Sequence, residues 1–453
     1  MSDTAEGRWV PFGDLRREQV DCGADIRAAL ERVIESGWFV LGREVEAFEA
    51  EFAGFLGAEH VIGVASGTEA IQIAMQAAGV GTGDYVLTVP NSAIPTASAI
   101  TAAGATPLFV DVDARSFTMD PEQLCEVAAR EKARLGGRLK AVVPVHLYGQ
   151  AADLRPIIDV ADELDLVVVE DAAQAHGASY DGRQVGTLGH FGAFSFYPSK
   201  NLGCYGDGGA VVARSAADAD RLRMLRNYGQ SRRYHHSFKG INSRLDEMQA
   251  AVLRAKLPFS GEWNRRRAEI SRRYAALLAA PGLRKPEEMA YGAHVWHLYV
   301  VRHPDREGLI RRLSAAGVQA LIHYPVPIHL QEAYSDLGLA EAASRSPREQ
   351  QTRSSPCRSS RTSATTRSTT SLVASTATRA NASGARICRP KRSSSDPKLR
   401  MAAWLSPPRR RGDSYRTHQG KMKARRRQTM SGRRGPAARS SERGASGCQP
   451  HSP

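Results

Sequence analysis

Residues 166–177 read LVVVEDAAQAHG, and this stretch decides the class of fold. Its first four residues are apolar without alternation, which is typical of a strand buried on both faces of a parallel sheet. Two acids, Glu170 and Asp171, end the run. A buried carboxylate without a partner is unstable, so Asp171 needs an arginine, a loop backbone or a protonated heterocycle. His176 is most simply a histidine hydrogen-bonded within a loop.

Similar apolar runs recur along the chain and alternate with helical patterns. This alternation predicts an α/β fold in which a mostly parallel sheet lies between helices. The predicted strands are residues 60–65, 85–89, 107–110, 140–145 and 166–169, and the predicted helices begin at 68 or span 94–103, 121–134 and 154–164.

The pattern changes after Leu245. Two long helical stretches are followed by a predicted strand at 297–301, a helix near 307–316 and a strand at 318–323. We therefore expect a large domain with an N-terminal segment over residues 1–245, and a smaller, incomplete C-terminal α/β domain over residues 246–342.

The net charge of +15 is unevenly distributed. Residues 345–453 hold 26 lysines and arginines against four acids, whereas residues 1–344 hold 36 against 43. The composition from 343 onward, rich in Arg, Ser, Thr and Pro, predicts a basic disordered tail, 343–453. Such a tail can bind nucleic acid through phosphates, although a solvated tail is the simpler interpretation. The abrupt change also suggests a frameshift product, which resequencing the coding DNA tests.

Other protein classes are disfavoured by what the chain lacks. No stretch approaches 18 uninterrupted apolar residues, so we expect no membrane span. The first 30 residues lack a basic segment followed by an apolar one, which favours a cytoplasmic protein. The six cysteines show no metal-ligand spacing, so we expect no metal site.

Three strand ends carry candidate binding or catalytic residues. Residues 66–68, SGT, lie between a predicted strand and a helix, where backbone N–H groups and hydroxyls can bind a phosphate or simply cap the helix. Asp171 ends the central strand. Lys200 follows the aromatic strand FGAFSF and precedes a glycine-rich turn; burial there can free its amine as a nucleophile.

Together, a phosphate site, a strand-end carboxylate and an activated lysine are what pyridoxal 5′-phosphate (PLP) requires. The lysine forms a Schiff base, the carboxylate keeps the ring nitrogen protonated, and the helix end binds the phosphate. No GxGxxG or GxxxxGK[ST] motif competes with this interpretation.

The sequence resembles the DegT/DnrJ/EryC1/StrS family of PLP-dependent sugar aminotransferases, which have the aspartate-aminotransferase-like fold (fold type I). The resemblance runs from about residue 12 to residue 334. It is carried by segments that include SGTEAIQIAM, VVEDAAQAHGA, FSFYPSKNLGCYGDGGAVV, GINSRLDEMQAAVL and HYPVPIHLQEAY.

By this resemblance Lys200 is the Schiff-base lysine, which favours transamination over dehydration. The resemblance further implies that Asp171 pairs with the ring nitrogen and that Gln174 contacts the ring oxygen. The phosphate would be held by Gly67, Thr68 and Ser195, and by Asn242 from the neighbouring subunit of a homodimer with shared active sites. Ala93 stands where many relatives carry an aromatic residue that stacks on the cofactor ring.

The implied reaction moves an amino group from glutamate or glutamine to a nucleotide-linked keto-deoxysugar. The stretch around residues 227–253 looks most similar to members that aminate C3 of a dTDP-3-keto-6-deoxyhexose. Arg232, Arg233 and Lys239 either bind the diphosphate or form a solvated loop. Amination of a keto-inositol and PLP-dependent dehydration of a sugar are alternatives within enzymes, and nucleic-acid binding through the tail is the alternative outside them.

Overall fold

The structure, a computed structural model, describes residues 9–338. The expected tail, 343–453, and the end of the expected small domain lie outside this range. The α-helices of the described residues are α1 (Glu18–Ser36), α2 (Arg43–Leu56), α3 (Gly67–Ala77), α4 (Ile94–Ala102), α5 (Pro121–Leu135), α6 (Leu154–Glu163), α7 (Ala216–Leu225), α8 (Glu247–Lys256), α9 (Ser260–Leu277) and α10 (Arg306–Ala315). The strands are β1 (His60–Val64), β2 (Tyr85–Thr88), β3 (Thr106–Phe109), β4 (Leu139–Val142), β5 (Val167–Asp171), β6 (Ser179–Tyr180), β7 (Arg183–Gln184), β8 (Phe191–Ser195), β9 (Gly209–Ala213), β10 (Gln230–Arg232), β11 (His235–His236) and β12 (Gly292–Ala293).

Seven of these strands form the central sheet, in the order β1-β9-β8-β5-β4-β2-β3. All of its strands run parallel except β9, which is antiparallel to both β8 and β1. The predicted α/β fold with a mostly parallel sheet is therefore confirmed. The five strands predicted up to residue 169 all form, with boundaries shifted by at most a few residues.

Both faces of the sheet are covered, as the apolar runs require. In β1, Val61 packs into a cluster with the phenylalanines of α2, while Ile62 and Val64 pack into a second cluster with α3 on the opposite face. Side chains alternate between the two faces of a strand, so every position must be apolar when both faces are buried. A third cluster beneath α5 and α6 covers the β4–β2–β3 half of the sheet.

Two predicted strands, 297–301 and 318–323, do not form among the described residues. A strand requires a hydrogen-bonded neighbour, and these segments bond to loops instead. Val295 N donates to Gly149 O (3.0 Å) and Leu298 N to Tyr148 O (3.4 Å), while Val318 makes only an isolated bridge with Val10. The segment around residues 295–298 is thus attached to the loop that follows β4, close to the edge of the sheet where the parallel strands end. The predicted helix near 307–316 is present as α10.

Candidate active site

The carboxyl ends of the parallel strands bring the predicted residues to one edge of the sheet. Ser195 at the end of β8 is paired with Gly209, and Gly209 is paired with Val64 at the end of β1. Asp171 ends β5 and is paired with Ala193 of β8. Ligands bind at this edge in open α/β sheets, where loops and helix N-termini converge.

Helix α3 starts at this edge, where the predicted phosphate cradle lies, which we define as Gly67, Thr68 and Ser195. Ser66 caps the helix by accepting a hydrogen bond from Glu69 N (3.2 Å). A Cβ added to Gly67 would lie 2.4 Å from Cβ of Ser195, so only glycine permits this approach of helix to strand. The first N–H groups of a helix have no intrahelical acceptor, and here they lie beside the Ser195 hydroxyl.

Asp171 is 5% exposed and is only partly hydrogen-bonded. Its Oδ2 accepts a hydrogen bond from the Thr96 hydroxyl (2.7 Å), and its Oδ1 accepts one from Ala173 N (3.2 Å). Each carboxylate oxygen can accept more than one hydrogen bond. The carboxylate is therefore held in place and retains capacity for a further donor, as a protonated ring nitrogen would be.

The neighbouring Glu170 anchors the end of the same strand. It is fully buried, and its two oxygens accept hydrogen bonds from His146 Nε2 (2.9 Å) and from Gly186 N (2.7 Å), Leu188 N (2.7 Å) and Gly189 N (2.6 Å). Burial alone would raise the pKa of this carboxyl, but His146 and the backbone donors hold the pKa below its ordinary value.

Lys200 is half-buried between β8 and β9. Its Nζ makes no hydrogen bond or ion pair with any residue in the range 9–338. Burial lowers the pKa of the amine below its ordinary value, and attraction to the Asp171 carboxylate partly opposes this. Lys200 and Asp171 therefore interact electrostatically, and a larger fraction of the amine is uncharged than in a solvated lysine.

Gln174 lies just beyond β5, but its amide is already bonded. Its Oε1 accepts a hydrogen bond from Tyr148 N (2.8 Å), and its Nε2 donates to the Tyr324 hydroxyl (2.8 Å). Asp171 also influences the Tyr324 hydroxyl, whose pKa burial raises above its ordinary value. The contact of Gln174 with the cofactor remains a prediction, and Tyr324 is a site residue that sequence reasoning missed.

His176 is not the hydrogen-bonded loop residue expected. It is fully buried, neither ring nitrogen has a hydrogen-bond partner among the described residues, and its ring packs against Phe52, Phe194 and Phe196 at centroid distances of 5.4–6.5 Å. Burial lowers its pKa to about 3, and the nearby Lys200 contributes. The glycine at 177, which has φ +87°, turns the chain away from the strand at this point.

The two remaining positions lie around this edge. Ala93 is half-buried and precedes α4, the helix whose Thr96 bonds Asp171. Asn242 is exposed, and its backbone forms an isolated bridge with Asn227. Its role from a neighbouring subunit remains a prediction.

The residues present fit the group that the three anchors predict. One sheet edge holds a close-packed glycine beside a helix N-terminus, a buried carboxylate with spare acceptor capacity, and a desolvated lysine amine that has no partner in the described part of the chain. Among residues 9–338 no helix is long and apolar enough to cross a membrane, and no cluster of potential metal ligands is present. The fold and site together are those predicted for a PLP enzyme built on a mostly parallel α/β sheet.

Comparison with known proteins specifies the family. The sequence profile of the DegT/DnrJ/EryC1/StrS aminotransferase family matches residues 20–364, so this chain belongs to that family of PLP-dependent aminotransferases. The predicted family is therefore confirmed.

Individual relatives agree with this assignment. The chain is 47% identical over 336 residues to a dTDP-3-amino-3,4,6-trideoxy-alpha-D-glucose transaminase of Streptomyces venezuelae, covering 74% of this chain and 87% of that protein. The crystal structure of S. venezuelae DesV superposes with a TM-score of 0.70 at 42% identity, covering 79% of this chain and 91% of that one. The structure of ntda from Bacillus subtilis with bound cofactor PMP superposes with a TM-score of 0.67 at 30% identity, covering 74% and 77%.

Proposed function

We propose that this aminotransferase moves an amino group from glutamate or glutamine to a nucleotide-linked keto-deoxysugar, and that the acceptor is a dTDP-3-keto-6-deoxyhexose. The observation that carries the proposal is the Lys200 amine, freed by burial and interacting electrostatically with Asp171 beside the phosphate cradle. The S. venezuelae relative and a 45% identical transaminase of Aneurinibacillus thermoaerophilus both act, by name, on dTDP-3-amino sugars. A 41% identical relative from Acidithiobacillus ferrooxidans is a UDP-N-acetyl-3-dehydro-alpha-D-glucosamine 3-aminotransferase, so the nucleotide is the part most in need of a test.

Each anchor has a defined task. When bound, the cofactor would supply an electron-withdrawing ring that stabilises negative charge on the reacting carbon. Asp171, held by Thr96, would pair with the ring nitrogen, while Gly67, Thr68 and Ser195 would bind the phosphate. Lys200 would hold the cofactor between turnovers and, once its amine is free, take and return a proton beside the reacting carbon.

A homodimer with shared active sites is part of this proposal. Large apolar side chains are exposed next to the site: Ile94 follows Ala93 and is 37% exposed, and Tyr197 follows the cradle residue Ser195 and is 55% exposed. Trp38 and Phe39 are 62% and 50% exposed. Apolar surface of this kind is typical of a protein interface, and Asn242 is exposed as its predicted role in a neighbouring site requires. Sedimentation should give a dimer mass.

The hairpin β10–β11 is the proposed contact for the diphosphate. Arg232, Arg233 and Lys239 are all exposed, and none of them forms an ion pair with another described residue. Arg233 lies over the Tyr234 ring at 5.2 Å and its Nη2 donates to the Tyr234 hydroxyl (3.4 Å), which leaves its other N–H groups available to oxygen acceptors. The alternative, a solvated loop, predicts that neutralising all three leaves the KM for the sugar unchanged.

The direct test supplies purified protein and PLP with glutamate and a dTDP-3-keto-6-deoxyhexose, and measures the product by mass spectrometry. We expect an aminated sugar and 2-oxoglutarate. A keto-inositol in the same assay tests the second acceptor, and loss of a hydroxyl without gain of nitrogen would indicate dehydration. Inactivity with every sugar, together with DNA retention at about 0.15 M salt that disappears when residues 345–453 are deleted, would favour the nucleic-acid alternative.

A further inference from the structure

The segment that carries Lys200 is a closed loop, which we call the lysine loop and define as residues 197–203. It begins after Phe196 and ends before Cys204, and these two residues close it because Cys204 N donates to Phe196 O (2.8 Å). Within the loop, Lys200 N donates to Tyr197 O (2.9 Å). The position of the Lys200 backbone therefore depends on the part of the loop that precedes it.

Gly203, the last residue of the lysine loop, lies directly against that preceding part. A Cβ added to Gly203 would lie 2.5 Å from Pro198 O and 2.8 Å from Tyr197 O. The second of these oxygens is the one that accepts the hydrogen bond from Lys200 N. Protein interiors are close-packed and transmit displacements, so a movement of Gly203 is passed to the backbone of Lys200.

The carbonyl of Gly203 is held by Lys256, a residue of α8 that sequence reasoning missed. Lys256 is 1% exposed, and its Nζ donates to Gly203 O (2.7 Å). The same ammonium forms an ion pair with Glu18 of α1 and lies 4.6 Å from the centroid of the Tyr205 ring. A buried ammonium is costly unless it is paired, and these three contacts match the three N–H groups that it carries. The ammonium is thus fixed in place, and the Gly203 carbonyl with it.

We propose that Lys256 is a positioning residue for Lys200: its hydrogen bond to Gly203 O holds the lysine loop so that the Lys200 amine stays in its desolvated position. Lys256 transfers no proton in this role. Without Lys256, the buried Gly203 carbonyl would lose its donor, and turning that carbonyl toward water becomes favourable. The inference rests on the proposed task of Lys200 as the proton-transferring group.

The rest of the loop limits the size of this movement. Asn201 Nδ2 donates to Asn264 Oδ1 of α9 (2.9 Å) and to Val295 O (3.0 Å), and these bonds do not involve Lys256. We therefore expect loss of the Lys256 ammonium to shift the lysine loop rather than to unfold it.

Two variants separate positioning from a purely structural role. Lys256→Met removes the donor to Gly203 O and leaves the Glu18 carboxylate unpaired. Adding Glu18→Ala removes that unpaired charge but restores no donor. We expect both chains to lower kcat per folded molecule by about 5- to 50-fold with little change in KM, and the second substitution to recover melting temperature but not kcat. Recovery of kcat together with the melting temperature, or wild-type kcat in both chains, would overturn the proposal.

Two measurements on the full chain without cofactor do not depend on the sugar substrate. The pH dependence of Lys200 acetylation, followed by mass spectrometry, should give a higher pKa in both Lys256→Met chains than in wild type, because a loop displaced toward water relieves the burial that lowers this pKa. Hydrogen–deuterium exchange should be faster at the amides of residues 197–204 but not in β8. Wild-type values in either measurement would refute the proposal. Both results hold even if no sugar is aminated, so failure of the proposed function is distinguishable from failure of this inference.

Arg254, two residues earlier on α8, supplies a matched control. Its guanidinium forms ion pairs with Glu44 and Glu51 of α2 (both 2.7 Å) and makes no hydrogen bond to the lysine loop within the described range. Arg254→Met should lower the melting temperature and leave kcat, the acetylation pKa of Lys200 and exchange in the lysine loop at wild-type values. Changes as large as those of Lys256→Met would mean that any loss of an ion pair on α8 moves the lysine, and would overturn the proposal.

Discussion

Glu170 and Asp171 are adjacent acids on one buried strand, and their surroundings differ in the number of donors. Glu170 accepts four hydrogen bonds, one of them from His146, and has no capacity left for a ligand. Asp171 accepts two, from Thr96 and Ala173, and interacts electrostatically with the lysine amine. A saturated carboxylate organises the fold, whereas a partly satisfied one next to a cation is available for chemistry.

The largest effect should come from removing the Lys200 amine, which interacts with Asp171. Lys200→Ala is expected to lower turnover by about 10⁴-fold or more, because Lys200 would both hold the cofactor and transfer protons. Its melting temperature should equal or exceed that of wild type, since a desolvated amine without a partner is lost. Steady-state kinetics measures the loss of turnover, and calorimetry measures the melting temperature. Retention of a tenth of the activity would remove Lys200 from the mechanism.

Conservative amidation of each acid tests the comparison directly. Asp171→Asn should reduce kcat by about 10²- to 10³-fold with little change in stability, because Thr96 and Ala173 can still donate to the amide oxygen. Glu170→Gln should instead reduce the free energy of unfolding by about 3–5 kcal/mol, because its new NH₂ group faces donors that have lost their acceptor.

Urea unfolding and kcat per folded molecule, measured side by side, distinguish the two acids. If Asp171→Asn proved mainly destabilising and Glu170→Gln mainly inactive, the roles assigned to the two carboxylates would be reversed.

A smaller effect is expected at the phosphate cradle. Gly67→Ala places a methyl group 2.4 Å from Cβ of Ser195, so helix and strand must separate. We expect cofactor affinity to fall by about 10- to 100-fold, as overpacking of about 1–3 kcal/mol would produce. Gly54→Ala, in the last turn of α2 with no atom within 4 Å of the added Cβ, is the matched control. It should bind the cofactor normally and be slightly more stable. Equal affinities in both variants would mean that the cradle binds no phosphate.

The smallest effect concerns pH. His176 has its pKa lowered to about 3 by burial, against an ordinary value of 6.5, so the unfolded chain binds more protons between these limits. The contribution of His176 to the free energy of unfolding therefore does not depend on pH above 6.5, and it decreases as the pH drops from 6.5 toward 3. His176→Phe should reduce the acid dependence by about 1.4 kcal/mol per pH unit at most, leaving the part due to Glu170.

The pKa of Glu170 is depressed, so its contribution is present above the pKa of an unfolded glutamate and is lost as the pH falls through the folded value. Urea unfolding from pH 7 to pH 4 separates the two groups. An identical pH profile for His176→Phe and wild type would contradict the assigned pKa shift.

Local sequence was informative wherever the site is built from strand ends. The run 166–171 placed Asp171, and the aromatic strand before Lys200 placed the lysine, because strand direction brings both to one edge of a parallel sheet. The side chains that hold these site residues in place could not be predicted in this way. Thr96 bonds Asp171 from 75 positions away, Tyr324 bonds Gln174 from 150 positions away, and His297 bonds Asn201 from 96 positions away.

Such contacts depend on how distant loops pack, which periodicity does not encode. The same limit explains the two wrong strands. Residues 297–301 have an apolar pattern that suits a strand, but their backbone bonds to the loop at 148–149 rather than to a second strand. The pattern reports which side chains are buried and not which neighbour supplies the hydrogen bonds.

One measurement tests most directly whether the Lys200 amine, the Asp171 carboxylate and the phosphate cradle serve a single cofactor. The purified chain is loaded with PLP, reduced with borohydride and digested, and the peptides are analysed by mass spectrometry. We predict a pyridoxyl group on the peptide that contains Lys200, at a stoichiometry near one per chain, and its absence in Lys200→Ala. Stable attachment to another lysine, or a chain that remains colourless and unmodified, would contradict the account.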